Sequence, residues 1–212
     1  MSDNLIDVHV LHMPDENQEW WNDCEKSLIG HPINVHNCSG INGNVGESRR
    51  LGFSLGSAPY VSFVDPDDLV LPNSFQVCLD VLEQHPEVCG VYTLSKVMNA
   101  TGSISTNLLH PFRPWSFHNM KKCVVEVHQL VVMRRECVDD YHTLDYPTIE
   151  VTNMYSNVIM FWYMAIKKPW IAVDHIGYTW RNHSKGVHQV FNQNGDYTKY
   201  QDIISNIYNN IP

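Results

Sequence analysis

The chain has no Cys-x-x-Cys pair, little positive charge and no apolar run near the ~20 residues that cross a bilayer. Each absence excludes a class. The six cysteines, Cys24, Cys38, Cys78, Cys89, Cys123 and Cys137, are scattered, which argues against a disulfide framework or a zinc site and for buried, reduced thiols. Lys and Arg number 14 against 23 Asp and Glu, a formal net charge of −9, so the chain lacks the basic surface of a general nucleic-acid binder. Its opening, MSDNLIDVHV, has neither the basic region nor the long apolar stretch of a signal peptide. Together with the missing span, this sets the expectation of a cytoplasmic protein. Met13-Pro14-Asp15-Glu16-Asn17 follows the first apolar run and holds no glycine, where a nucleotidyltransferase would carry a Gly-rich phosphate loop.

What is present is a core-forming composition, 43% hydrophobic and 11% aromatic over 212 residues, enough for a globular domain. Apolar patterning predicts strands at 6–13, 33–36, 60–64, 88–93, 123–133, 170–173 and 176–180. Helices are expected at 16–29, 46–57, 72–84, 134–140, 153–168 and 197–211, with a hairpin or flexible loop at 94–106. Alternating β and α elements with short connections imply an α/β fold, a single mostly parallel mixed sheet flanked by helices. No repeat and no linker divides the chain, so one compact domain over 1–212 is expected.

The densest chemistry lies in YVSFVDPDDLVLPNSF, residues 60–75. A buried strand runs directly into Asp65, Asp67 and Asp68, and open α/β sheets bind ligands at the carboxyl ends of their strands. Acidic residues after a strand also make turns and helix caps. Three carboxylates within four residues, however, repel one another without a cation. Hard oxygen ligands at that place suit Mg²⁺ or Mn²⁺.

The order of motifs resembles the family 2 glycosyltransferases of GT-A fold across about residues 6–183. The Gly-x-x-x-Arg-Asn-like segment and the strand ending in Asp-x-Asp-Asp are met by GESRRLGFSLGSAPYVSFVDPDD at 46–68. The later strand leading to Arg-Glu is met by VVMRRECV at 131–138, and the closing Tyr-x-x-Arg-x-His segment by GYTWRNH at 177–183. A Gly-Phe-Asp-like turn corresponds to Thr143-Leu144-Asp145. The resemblance implies a metal-dependent, inverting transfer of sugar from a nucleotide-diphosphate donor, UDP-sugar foremost, to an acceptor hydroxyl. It also divides the chain into a nucleotide-sugar-binding half, 1–93, and an acceptor-side half, 94–212.

Roles follow residue by residue from the same resemblance. Asp65 and Asp67 form the Asp-x-Asp pair, Asp67 nearer the Mn²⁺ or Mg²⁺ and Asp65 nearer the ribose, with Asp68 in support. Pro14 and Asp15 lie where the family binds the base, and Asn37 stands where it often has an Asp for uracil. Arg49 and Arg50 occupy the Arg-Asn position, with Arg50 in place of the Asn; either side chain can equally be a solvated helix charge. His183 reaches the metal or pyrophosphate in this reading, with His188, Arg181 and Lys185 as neighbours. The family's Glu-Asp base pair aligns with Ser156-Asn157, neither of which is a competent base near neutral pH. Glu150 first and Asp145 second are the nearby carboxylates for that role. A non-catalytic nucleotide-sugar-binding protein is the alternative that Ser156-Asn157 leaves open. The acceptor is a saccharide, a protein or a modified nucleic acid such as phage DNA. For the last, Arg113, Lys121, Lys122, Arg134 and Arg135 offer a basic strip, and Phe112, Trp115 and Phe117 offer stacking surfaces.

Overall fold

The computed structural model describes residues 4–41, 44–123, 125–142, 149–184 and 186, with the side chains of 149–155 outside that description. Among these residues the order is β1 (Ile6–His12), α1 (Gln18–Leu28), β2 (Ile33–Ser39), α2 (Val45–Phe53), β3 (Tyr60–Val64), β4 (Leu69–Val70) and α3 (Ser74–Gln84). It continues with β5 (Gly90–Asn99), β6 (Ile104–Leu108), α4 (Phe117–Lys122), β7 (Val131–Arg134), α5 (Arg135–His142), α6 (Ile149–Lys167) and β8 (Trp170–Asn182). Helix starts are written in the sequence. Asn17 accepts from the N–H of Glu19 and Trp20 to open α1, Asn44 from Glu47 to open α2, and Ser116 from Asn119 to open α4.

All eight strands join one mixed sheet, ordered β2-β1-β3-β7-β5-β8-β4 with β6 paired to β5. β1 pairs in parallel with β2 and β3, and β5 with β8; β7 runs antiparallel to both β3 and β5. β1, β2, β3, β5 and β8 therefore point the same way, and the carboxyl ends of β1, β2, β3 and β8 share one edge. The hairpin reading of 94–106 holds as β5–β6.

Alternation along β3 feeds two cores. Val61 and Phe63 pack with Phe53, Met133, Met160 and Trp162, whereas Tyr60 and Val64 pack with Val8, Val10, Cys24, Phe75 and Leu82. So α1 and α3 cover one face, and α2, α5 and α6 the other. All six cysteines are free, and five are buried. No described helix is long and apolar enough to cross a membrane.

Several expected boundaries move. The strand expected at 123–133 is only Val131–Arg134, because the residues before it carry Glu126 and Gln129 to side-chain partners instead of a ladder. The two strands at 170–173 and 176–180 are one 13-residue strand, whose register against β5 shifts beside Asp174-His175 and absorbs those polar residues. β2 extends beyond the expected 33–36 through Ser39, taking in Asn37. Helix α2 ends at Phe53 rather than 57, since Gly56 takes φ +73°. That backbone lies against the buried Asp7 carboxylate, where a Cβ would not fit. The helix expected at 197–211 lies outside the described residues.

Candidate active site

The loop after β3 is held by a separate set of partners at each carboxylate. Asp65 takes Arg49 on Oδ1 and the Gln129 amide on Oδ2, the latter at 2.9 Å. Arg49 is buried, its guanidinium lies 4.3 Å over the Phe63 ring, and Nη1 donates to His9 Nε2 at 3.5 Å. Burial first, and then the charge of Arg49, hold His9 well below the ordinary histidine range, so His9 accepts as a neutral ring. Gly52 permits this contact: a Cβ there would stand 2.5 Å from the His9 ring. Arg49 is therefore built into the core, with its guanidinium committed to Asp65 and His9. Arg50 instead pairs with Glu47 one turn back, half-exposed on the surface of α2.

Asp67 faces the end of β8. His183 Nε2–H donates to its Oδ2 at 2.7 Å, and Arg181 Nε donates to its backbone carbonyl at 2.6 Å. The Asp67 side chain keeps 31% exposure against 10% for His183, so the carboxylate opens to solvent and the imidazole backs it. Trp20 on α1 covers this corner. Its ring centroid is 4.6 Å from that of His183, and the Arg181 guanidinium lies 5.1 Å over it. Arg181 itself is buried, so its place is under the loop and not on its solvent-facing surface. His188 and Lys185 lie outside the described residues.

Asp68 turns inward and is buried. The Tyr178 hydroxyl donates to it at 2.8 Å and the Arg181 N–H at 2.7 Å. The same hydroxyl accepts from the Asp65 N–H at 3.3 Å, so one tyrosine fastens both ends of the loop to β8. Burial, and next the charges of Asp67 and Asp65, push the Asp68 carboxyl well above the usual range. The Tyr-x-x-Arg-x-His signature thus has a physical meaning: Tyr178 and Arg181 shape the loop, and His183 meets Asp67.

At the neighbouring strand ends, Pro14 and Asp15 form an exposed turn after β1. Asn37 lies on β2, its Oδ1 3.1 Å from His12 Nε2, while His12 Nδ1–H donates to Glu16 at 3.0 Å. Trp21 sets its edge against the His12 ring at 4.5 Å. Among the described residues no group of three or more His, Cys, Asp and Glu side chains forms a metal cage. The groups that fit a hard cation are the partly open Asp67 carboxylate and, in the tautomer that carries its proton on Nδ1, the His183 Nε2 facing it. Asp65 has both oxygens engaged. Asp145 lies outside the described residues, and Glu150 is described through its backbone alone, in the first turn of α6.

On the other half, the expected basic strip is not assembled. Arg134 donates to the carbonyls of Leu82, His85 and Val88, closing the end of α3, and Arg135 pairs with buried Asp7. Arg113 grips buried Glu126. Trp115 and Phe117 pack on the core, which leaves Phe112, at 40% exposure, as the open aromatic of 109–117. Sequence reasoning missed Trp20, Gln129 and His12. Gln129 and His12 give no signal outside the fold, whereas Trp20 sits at the start of an amphipathic helix and reads as core.

A family model of glycosyl transferase family 2 matches residues 26–141, more than half of the chain. The minor teichoic acid biosynthesis protein GgaB of Bacillus subtilis (strain 168) is 31% identical over 62 residues, 29% of this chain and 7% of that protein. S. aureus TarS 1–349 superposes with TM-score 0.60 at 11% identity, over 83% of this chain and 60% of that chain. Its complex with UDP gives 0.63 at 12%, over 84% and 61%, and its complex with UDP-GlcNAc gives 0.60 at 12%, over 87% and 60%. The chain thus spans 7% of the curated relative and about three fifths of these solved structures.

Proposed function

This chain belongs to glycosyl transferase family 2 and has the GT-A fold, and we propose that it moves a sugar from a UDP-sugar to an acceptor hydroxyl with inversion at the anomeric carbon. The observation that carries this reading is the Asp65–Asp68 loop, fixed at the carboxyl edge of the parallel strands by Arg49, Tyr178, Arg181 and His183. The TarS structures with UDP and UDP-GlcNAc have the same fold and support that donor class.

In this reading the base and ribose lie over the ends of β1 and β2, between Pro14-Asp15 and Asn37, with Asp65 accepting a ribose hydroxyl while Arg49 and Gln129 keep it in place. Mn²⁺ or Mg²⁺, held by Asp67 and His183 with phosphate and water completing its shell, would supply neutralisation of the diphosphate leaving group. Trp20 walls that corner against water. Glu150 takes the proton of the attacking acceptor hydroxyl, with Asp145 as second choice. The acceptor is a saccharide: three of the five cations of the basic strip, Arg113, Arg134 and Arg135, are tied to Glu126, backbone carbonyls and Asp7, and GgaB is named for teichoic acid biosynthesis.

A panel of nucleotide sugars incubated with Mn²⁺ tests the proposal. Release of nucleoside diphosphate supports it, and pyrophosphate exchange would mean a nucleotidyltransferase. Metal-dependent binding without hydrolysis would favour the second reading, a binding protein, for which Ser156-Asn157 at the family's base position is the specific observation.

A further inference from the structure

The segment 126–129, expected to be strand, runs from the stretch between β6 and α4 to the loop after β3. At one end Glu126, 5% exposed, receives both prongs of Arg113 from the stretch between β6 and α4. At the other end the Gln129 amide donates to Asp65 Oδ2 at 2.9 Å. Two residues, Val127 and His128, lie between them, a span of at most about 10 Å of chain. Backbone contacts keep the segment in line: Glu126 N–H donates to the Cys123 carbonyl at 2.9 Å, Thr93 N–H to Leu130 at 2.9 Å, and the Ser95 hydroxyl to the Gln129 carbonyl. Its middle carries one polar contact, His128 Nδ1 to the Glu126 carbonyl at 3.1 Å, and is otherwise held by shape. The His128 ring sits against Tyr92 and His110 at 5.7 and 5.2 Å, while His128 Nε2 and the Tyr92 hydroxyl are buried without hydrogen-bond partners. Glu126 and Gln129 are therefore coupled both through the chain and through the His128 ring that bonds the Glu126 carbonyl.

We infer that Gln129 is a positioning residue of the donor site, and that the Arg113–Glu126 pair on the acceptor side sets where its amide stands. Glu126 is too buried to be left unpaired. Arg113, at 42% side-chain exposure, is the partner that solvent and an acceptor reach. Moving Arg113 makes Glu126 shift toward water, and the shift travels three residues to the amide that shares Asp65 with Arg49. Occupancy beside Phe112 and Arg113 thereby changes donor affinity, and by linkage a bound donor changes acceptor affinity by the same factor. The donor half of this inference rests on the UDP-sugar reading of Asp65.

The test uses the full chain with Arg113→Ala, Arg113→Lys, Gln129→Ala and the Arg113→Ala/Gln129→Ala double variant. UDP affinity is measured by calorimetry with Mg²⁺, and the Gln129 side-chain amide signals by NMR without ligand. Losing one hydrogen bond to a carboxylate predicts a Kd about tenfold weaker for Gln129→Ala. Arg113→Ala should weaken UDP several-fold and shift the Gln129 amide signals, and Arg113→Lys should restore both. In the Gln129→Ala background, Arg113→Ala should add nothing. Additive effects, or amide signals unmoved by Arg113→Ala, overturn the inference. A wild-type chain that does not bind UDP removes the donor reading instead, and the ligand-free amide signals then still decide whether Arg113 sets Gln129.

Discussion

Replacing Arg49 by Met keeps the apolar stem and removes the charge that holds Asp65, the carboxylate proposed to meet the ribose. Arg49 is 5% exposed, and the Asp65 side chain it pairs with is 29% exposed. Breaking a fully buried pair costs about 3–5 kcal/mol, but the abandoned Asp65 is partly solvated and keeps Gln129, so about 1–2 kcal/mol is the appropriate share. The cation over Phe63 adds about 1 kcal/mol, for a total of about 2–3 kcal/mol. In a chain of this length that is a fall in Tm of about 4–12 °C, readable by urea and thermal denaturation. UDP affinity should drop at least about tenfold, because Asp65 is then free to swing on Gln129 alone. Arg49→Lys should recover most of the stability and little of the affinity, since one ammonium cannot serve both Asp65 and His9 as the guanidinium fork does. A Met variant within about 0.5 kcal/mol of wild type, with unchanged UDP affinity, would refute the placement of Arg49 in the donor site.

Asp68→Asn copies the protonated form that burial and the neighbouring carboxylates favour; stability at pH 7 should change by less than about 1 kcal/mol, against about 2–3 for Asp68→Ala, and both are read from urea midpoints. Asp7 carries the opposite shift: burial pushes it up, but His36, Asn34 and the Ala58 N–H outweigh that and hold it below the usual carboxylate range. Its contribution is therefore present above the unfolded value of about 4 and lost as pH falls through the lower folded value. The gap of about 3 kcal/mol between wild type and Asp7→Asn should accordingly close on acidification below about pH 4. Glu150→Gln should lower turnover by at least about a hundredfold with UDP affinity unchanged, and near-normal turnover would move the base elsewhere.

The legible part of the fold was the part whose burial is continuous. β1 alternates Ile6, Val8 and Val10 with polar residues and β3 is apolar but for Ser62, so both read as buried strands, and the carboxylates that follow β3 stand where open sheets bind ligands. The two-residue β4 carries too few side chains for any period. β8 was read as two strands because Asp174 and His175 interrupt it, and only its neighbour β5 reveals the register shift that hosts them. Arg134 and Arg135 illustrate a different blindness. In sequence they are two adjacent surface charges, whereas in space they end α3 and neutralise Asp7, because those partners lie dozens of residues away. For the same reason the Asp65–Asp68 cluster was visible at once while its holders Gln129 and Trp20 were not.

The three carboxylates of that cluster do not form a cage, and this bears on how a cation would be held. Asp65 is committed to Arg49 and Gln129, and Asp68 is turned inward onto Tyr178 and the Arg181 N–H. Asp67 alone presents an open carboxylate, with His183 as its sole described side-chain contact. One carboxylate and one imidazole make a poor site for Mg²⁺ or Mn²⁺, which take most of six positions from oxygen. The diphosphate would have to supply the rest. Mn²⁺ should therefore bind the ligand-free chain weakly, with a Kd of about millimolar, and about ten- to a hundredfold more tightly when UDP is present. The same factor must appear in UDP affinity measured with and without Mn²⁺, a check that needs no acceptor and no turnover. Calorimetry or Mn²⁺ paramagnetic resonance reads both sides of the cycle. Asp67→Asn should abolish the coupling while leaving metal-free UDP binding intact. Tight Mn²⁺ binding without nucleotide would show instead that Asp65 leaves Arg49 to join the metal, and the division of labour among the three carboxylates would be wrong.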